Sequence, residues 1–161
     1  MNYYNQALPS LSMGEALKLA TSRLTQFSGR SRRSEYWWTV LVAFLASLVL
    51  VLIPFANILI CLAMLPLTFR RLHDTGRSAM WLLPLPVFYV AMIIAYVVEI
   101  KSFVGFQHDV YYIYIGFCCL VYLAYSIVLL VFTCQDSQPY TNRYGESPKY
   151  PQRQANYKQK Y

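Results

Sequence analysis

The feature that most constrains this chain is where its charges are missing. No Asp, Glu, Lys, Arg or His occurs over residues 36–69, 78–98 or 110–135, windows of 34, 21 and 26 residues. A bilayer span needs about 20 apolar residues, so each of the last two windows accommodates one transmembrane helix. The first is too long for one span and short for two. Pro54 and Asn57, near its middle, suit a tight turn between antiparallel helices. The expectation is an all-α membrane protein with four transmembrane helices in a bundle, at about 33–53, 55–72, 78–98 and 110–134. The first two each borrow a turn from charged flanks, whose long Arg side chains snorkel to the headgroups.

Charge placement decides what the basic balance means. Only 13% of residues are charged against 57% hydrophobic, and Lys+Arg exceed Asp+Glu by 14 to 7. A soluble domain carries about 25% charged residues, so the excess does not describe a nucleic-acid binder. With four spans, thirteen of the fourteen Lys and Arg fall on one side and only Lys101 on the other. The positive-inside rule then makes both termini cytoplasmic. A three-span chain would put its basic tail outside, against the same rule. Trp37, Trp38, Trp81, Tyr111 and Tyr112 stand near span ends, as interfacial aromatics do. The first 28 residues contain no apolar run of signal-peptide length, so no cleavable signal is expected there.

Residues 1–29 read as a cytoplasmic segment carrying an amphipathic interfacial helix over 12–27. Ser12 and Glu15 have capping-box spacing. Met13, Ala16, Leu17, Ala20, Leu24 and Phe27 form one apolar stripe, with Glu15, Lys18, Ser22 and Thr25 opposite. Such a helix lies on the cytoplasmic bilayer face or packs under the bundle. The transmembrane domain occupies 30–135. Residues 136–161, with Pro139, Pro148 and Pro151 and no apolar periodicity, read as a cytoplasmic tail: a turn followed by a flexible basic end.

Two polar clusters stand out. Arg30, Arg32 and Arg33 precede the first span. They serve orientation, or capture anionic headgroups at about 1 kcal/mol per residue. Glu35 pairs with one arginine or favours the positive end of the helix that follows. The second cluster is Arg70-Arg71-Leu72-His73-Asp74-Thr75-Gly76-Arg77-Ser78. Adjacent His and Asp rarely orient each other as a catalytic triad requires, and the pair falls short of a zinc ligand set. Asp74 is expected to pair with Arg70 or Arg71, or to cap the next helix, with Gly76 supplying the turn. Cys61, Cys118, Cys119 and Cys134 form no CxxC pair and read as buried small hydrophobes.

Tyr111, Tyr114, Tyr122 and Tyr125 share a face of the fourth span, and Tyr89 and Tyr96 a face of the third. A hydroxyl in hydrocarbon needs a partner, so these faces are expected to turn inward as helix–helix contacts or to line a polar cleft. Pro84 and Pro86 would kink the third span and open such a cleft. No span carries an ionisable residue near its middle, where ion and proton relays show themselves. Glu99, near an outer end, comes closest.

Four landmarks in order resemble the bacterial inner-membrane family called domain of unknown function 805. They are Phe27-Ser28-Gly29-Arg30-Ser31-Arg32-Arg33-Ser34-Glu35-Tyr36-Trp37, then Arg70 to Ser78 with Trp81, then Pro84, then Asn142-Arg143-Tyr144-Gly145 with Pro148. The likeness covers about residues 27–148. It implies a small multi-pass protein of the bacterial inner membrane with no established activity, and it carries no catalytic residues over.

The function expected is non-enzymatic, without catalytic, cofactor or metal residues. In this reading Arg30, Arg32, Arg33, Glu35, Arg70, Arg71, His73, Asp74, Asn142 and Arg143 form a cytoplasmic platform. It binds anionic headgroups, another membrane or cytoplasmic protein, or a second copy of the chain, but not nucleic acid. The alternative is an oligomeric small-solute or lipid conduit.

Overall fold

The computed structural model describes residues 7–53, 55–101 and 108–150, with side chains for all of these but 98–101 and 108–111. Expectations placed on Pro54, on the side chains of Glu99, Lys101 and Tyr111, and on the tail beyond Tyr150 lie outside the described residues. Every regular element among the described residues is helical: α1 Met13–Ser22, α2 Arg33–Val49, α3 Ala56–Asp74, α4 Pro84–Lys101 and α5 His108–Cys134. A short 3-10 turn, Ala79–Leu82, precedes α4.

Two stretches, Ala79–Val97 and Tyr112–Cys134, are long and apolar enough to cross a membrane. The other two helices are shorter in their uncharged parts, residues 36–49 of α2 and 56–69 of α3. At 1.5 Å per residue each such part covers about 21 Å, less than the ~30 Å hydrocarbon core. α2 ends earlier than the sequence suggests, and Phe55, at φ 65°, starts α3 from a left-handed conformation. Asn57 lies in the first turn of α3 rather than in the connection.

The chain folds as two compact units, Met1–Ala79 with Thr133–Tyr161, and Met80–Phe132. In the first, α1 packs on α2 and α2 on α3. The capping box starts α1: the Glu15 N–H donates to Ser12 Oγ at 3.4 Å and the Ser12 N–H to Glu15 Oε2 at 2.9 Å. Ala16 and Ala20 are buried, while Met13, Leu24 and Phe27 are exposed. The helix stops at Ser22, not at residue 27, and the physical reason is Arg70. Its Nη1 takes the carbonyls of Arg23 and Gln26 at 2.6 and 2.7 Å, which bends the segment around one guanidinium.

In the second unit, Pro84 and Pro86 occupy the first turn of α4. The first turn has no intrahelical partners for its N–H groups, so proline there starts a helix rather than kinking one. This corrects the expected kink. Trp81 meets Phe132 edge-on at 5.1 Å, and the Tyr125 hydroxyl donates to the Trp81 carbonyl at 2.7 Å. Tyr89, Tyr96, Tyr114 and Tyr122 are exposed, against the expectation that they turn inward. One pair of helices has a single mutual face, and among the described residues nothing else in this unit covers the other faces. Cys61, Cys119 and Cys134 are likewise exposed, and none of the four cysteines is in a disulfide.

Candidate functional site

The first unit is organised around charge. Arg30, Glu35, Arg70, Arg71, His73 and Asp74 are all buried, and Asp74 and Arg71 have no exposed surface. Four of these sit on the last turns of α3, one in the first turn of α2, and Arg30 in the extended residues before α2. Burying a charge is tolerated when it is paired and its remaining donors or acceptors are met. The structure meets them in detail.

Asp74 is the centre. Its Oδ1 accepts from Arg30 Nε at 2.9 Å, and its Oδ2 from Arg71 Nη1 at 2.6 Å and the Ser137 hydroxyl at 2.5 Å. Burial pushes the carboxyl above the ordinary carboxylate range, opposed by Ser137 and then by Arg30 and Arg71. Arg30 uses all five of its guanidinium donors. Besides Asp74 Oδ1 they reach the carbonyls of Tyr140, Gly145, Asp74 and Gln138 at 2.9, 3.2, 3.3 and 2.6 Å. Arg71 donates to the carbonyls of Thr133, Ser31 and Gln135. One carboxylate and two guanidinia thus gather the start of α2, the end of α3 and the chain that follows α5.

A second pair stands beside the first. Glu35 Oε1 accepts from Arg70 Nη2 at 3.5 Å and from the Ser31 hydroxyl at 3.1 Å, while Arg70 Nε donates to Ser31 Oγ at 3.0 Å. Asp74 therefore pairs with Arg71 and Arg30, not with Arg70, which belongs to Glu35. Nor does Asp74 cap the next helix, since its side chain is engaged inside the cluster. Arg30, expected at the headgroups, has no donor left for them.

The chain after α5 is a packed strap as far as residue 150, not a free tail. Asn142 and Gly145 exchange backbone hydrogen bonds at 3.1 and 3.0 Å, and the Asn142 side chain donates to the His73 carbonyl at 2.9 Å. Tyr144 stacks on the His73 ring with centroids 3.7 Å apart and planes 8° from parallel, and Arg143 lies 4.7 Å above Tyr144. His73 Nδ1 lies 3.2 Å from the Gly29 carbonyl, which requires the proton on that nitrogen. Burial lowers the imidazole below its usual value; the Gly29 bond opposes this and Arg143 adds to it. Gly76, at φ 79°, turns the chain where a Cβ would collide with the Gln138 side chain. Lys149 holds Asp136 at 2.6 Å.

Of the ten platform residues read from sequence, Arg30, Glu35, Arg70, Arg71, His73 and Asp74 are interior. Asn142 is half-buried against His73 and Gln138, and Arg32 is half-buried with its Nη2 on the Leu8 and Pro9 carbonyls. Arg33 and Arg143 are exposed. Sequence reasoning missed Ser31, Ser137, Gln138 and the carbonyls of Arg23, Gln26 and Thr133. A carbonyl has no sequence signature; Ser31, inside the singled-out arginine run, was the only legible hint.

The family model described as a protein of unknown function, DUF805, matches residues 24–58 and 47–146. This chain belongs to that family. Two relatives from Escherichia coli strain K12 are similar over most of their length. The inner membrane protein YhaI is 32% identical over 136 residues, 77% of this chain and 86% of its own. The inner membrane protein YhaH is 30% identical over 139 residues, 76% and 87%. No solved structure matches. The chain is thus a membrane protein of an uncharacterised family. The DUF805 match contains the whole Arg30–Arg71–Asp74 cluster and the strap to Gly145, and leaves out α1.

Proposed function

We propose that this DUF805 protein is a non-enzymatic accessory subunit of the bacterial inner membrane, with four transmembrane helices, both termini cytoplasmic, and a folded cytoplasmic platform that docks a partner. One observation carries the topology: residues 30–35, 70–77 and 133–145 touch one another directly. Segments in contact lie on one side of a bilayer, so the chain between each of them crosses an even number of times. This supports a membrane hairpin of α2 and α3, whose charged ends lengthen them into the headgroups, and a second of α4 and α5.

The buried charges are matched by protein acceptors, which favours a structural role for the cluster. Among the described residues, no group of three or more His, Cys, Asp and Glu comes together. Docking then falls to the basic rim, where Arg33 and Arg143 are exposed and Arg32 is half-exposed. Such a rim suits an acidic partner surface or anionic headgroups.

A photocrosslinking residue at Thr141 in intact cells should give one discrete adduct, lost in the Arg33→Glu/Arg143→Glu variant. No adduct, or one indifferent to those reversals, would count against docking by this rim. With the native cysteines replaced by serine, a cysteine at Ser102 should react with an impermeant maleimide from outside and one at Thr141 should not. Labelling at Thr141 would refute the topology.

The conduit reading draws on a cleft of about 500 Å³ between α4 and α5, lined by Phe88, Tyr89, Met92, Cys118, Cys119, Tyr122 and Leu123. Solute flux through liposomes containing only this protein would favour it.

A further inference from the structure

We propose that the cleft enclosed by α1, α2 and α3 is a binding site for one acyl chain of an anionic phospholipid from the cytoplasmic leaflet, with Arg23 holding the phosphate. This deepens the membrane reading above and rests on it. The cleft measures about 200 Å³, and its wall is almost wholly apolar: Leu17, Ala20 and Leu24 on one side, Val42 and Ala46 on the second, Ala63, Met64 and Leu67 on the third. Alanine at four wall positions (20, 43, 46 and 63) is what leaves the space open between helices that otherwise touch. The volume far exceeds that of a single water, and a wall of this kind offers water few of the two to four polar partners it needs. The occupant such a space suits is an apolar chain.

Polarity is confined to a few groups, and all but one of them is already engaged. Thr21 and Thr39 donate to the carbonyls of Leu17 and Glu35 on their own helices. Arg70 is held by Ser31, Arg23, Gln26 and Glu35. Arg23 is different: the residue is half-buried and lines the cleft, and its guanidinium makes no hydrogen bond or ion pair to the described residues. Its charge is felt by Glu35 and Arg70. Two cations thus face one carboxylate, leaving one positive charge uncompensated beside an apolar slot. Free fork-shaped donors at the mouth of an apolar slot match a chain that ends in an oxyanion, and phosphate is well suited to a guanidinium fork. In the four-span topology this mouth lies near the cytoplasmic headgroups, where phospholipid is the abundant source.

The test uses the full chain, delipidated in a maltoside detergent, with dioleoyl-phosphatidylglycerol, dioleoyl-phosphatidylcholine or oleate added. The glycerol lipid should raise the melting temperature by several degrees, and the choline lipid by less than half of that. Arg23→Gln should remove at least half of the rise; this change leaves intact the Arg23 carbonyl that binds Arg70. Lys18→Gln, which removes an equal charge from the exposed face of α1, should keep the full rise, and the adduct at Thr141 should persist in Arg23→Gln, so loss of rim docking and loss of the lipid site read separately. Ala46→Phe should abolish the response by filling the slot. If that variant does not fold, the Arg23→Gln comparison still decides. Equal rises with both phospholipids, or an unchanged rise in Arg23→Gln, would overturn the proposal. Stabilisation by oleate alone would overturn the phospholipid assignment in favour of a free fatty acid.

Discussion

The two units of this protein solve opposite problems. The unit formed by Met1–Ala79 and Thr133–Tyr161 buries its charges: Asp74 and Arg71 are 0% exposed and Arg70 is 1%. The unit Met80–Phe132 buries almost nothing, and most of its large apolar side chains are exposed. In the first, each of the buried charges Arg30, Glu35, Arg70, Arg71 and Asp74 has a specific partner at a specific distance. In the second, the apolar side chains present a surface to which hydrocarbon is an adequate partner. Specific geometry in this protein therefore comes from charge, not from apolar packing.

Three experiments would break or sharpen that contrast. The largest effect is expected at Asp74. Asp74→Ala leaves Arg30 and Arg71 buried without their anion, and removing one member of such a group costs about 3–5 kcal/mol. Folded protein recovered from membranes should fall sharply, as read by fluorescence-detected size exclusion. Adding Arg30→Ala or Arg71→Ala should recover part of the loss, whereas Arg70→Ala should add to it. Additive losses in all three cycles would show that the charges act independently.

The hairpin should respond far less. Tyr125→Phe removes the hydrogen bond to the Trp81 carbonyl, a loss of about 1 kcal/mol. Tyr122→Phe should stay within about 0.5 kcal/mol, as an exposed position does. Thermal melting in lipid nanodiscs distinguishes the two. A large loss at Tyr122 would reveal a partner that covers this face, and would move the second unit towards the first.

The smallest effect is a pH dependence of the strap. Burial holds the His73 imidazole below its ordinary value, which is about 6.5. A depressed folded value means that folding favours the neutral ring. Its contribution is complete above about 6.5 and is lost as the pH falls through that value towards the lower folded one. Asp136 does not share the window. Burial raises its carboxyl, but the bonds from Lys149, the Ser137 N–H and Tyr150 together hold it below the usual range. Trypsin cleavage at Arg143 and Lys149 should quicken between pH 7 and pH 5.5. The difference between the native chain and His73→Phe, which keeps a ring against Tyr144, isolates the imidazole. Equal acceleration in both would exclude it.

Legibility followed the range of the interaction. The capping box at Ser12 and Glu15 is a contact between residues three apart, and both sequence and structure contain it. The end of α1 was not legible, because the apolar stripe continues to Phe27 while the helix stops where Arg70, 47 residues away, takes the Arg23 carbonyl. The density of charge in 70–78 marked the centre of the first unit. Its pairing was legible in part for the same reason: Asp74 takes the expected Arg71, three residues away, while Arg30 reaches it across 44 residues with no local pattern to mark it.

What the sequence by itself determined is the all-helical class and the membrane character. Each of these follows from runs of apolar residues and from the scarcity of charge within them, which any conformation of the chain retains. Only the tertiary structure decided that Arg30 is an interior ligand of Asp74, that the strap after α5 is packed, and that Arg23 lines an apolar cleft. A guanidinium has five donors and donates to any carbonyl that geometry brings near. Which carbonyls those are depends on how distant segments meet, and that meeting is a property of the fold.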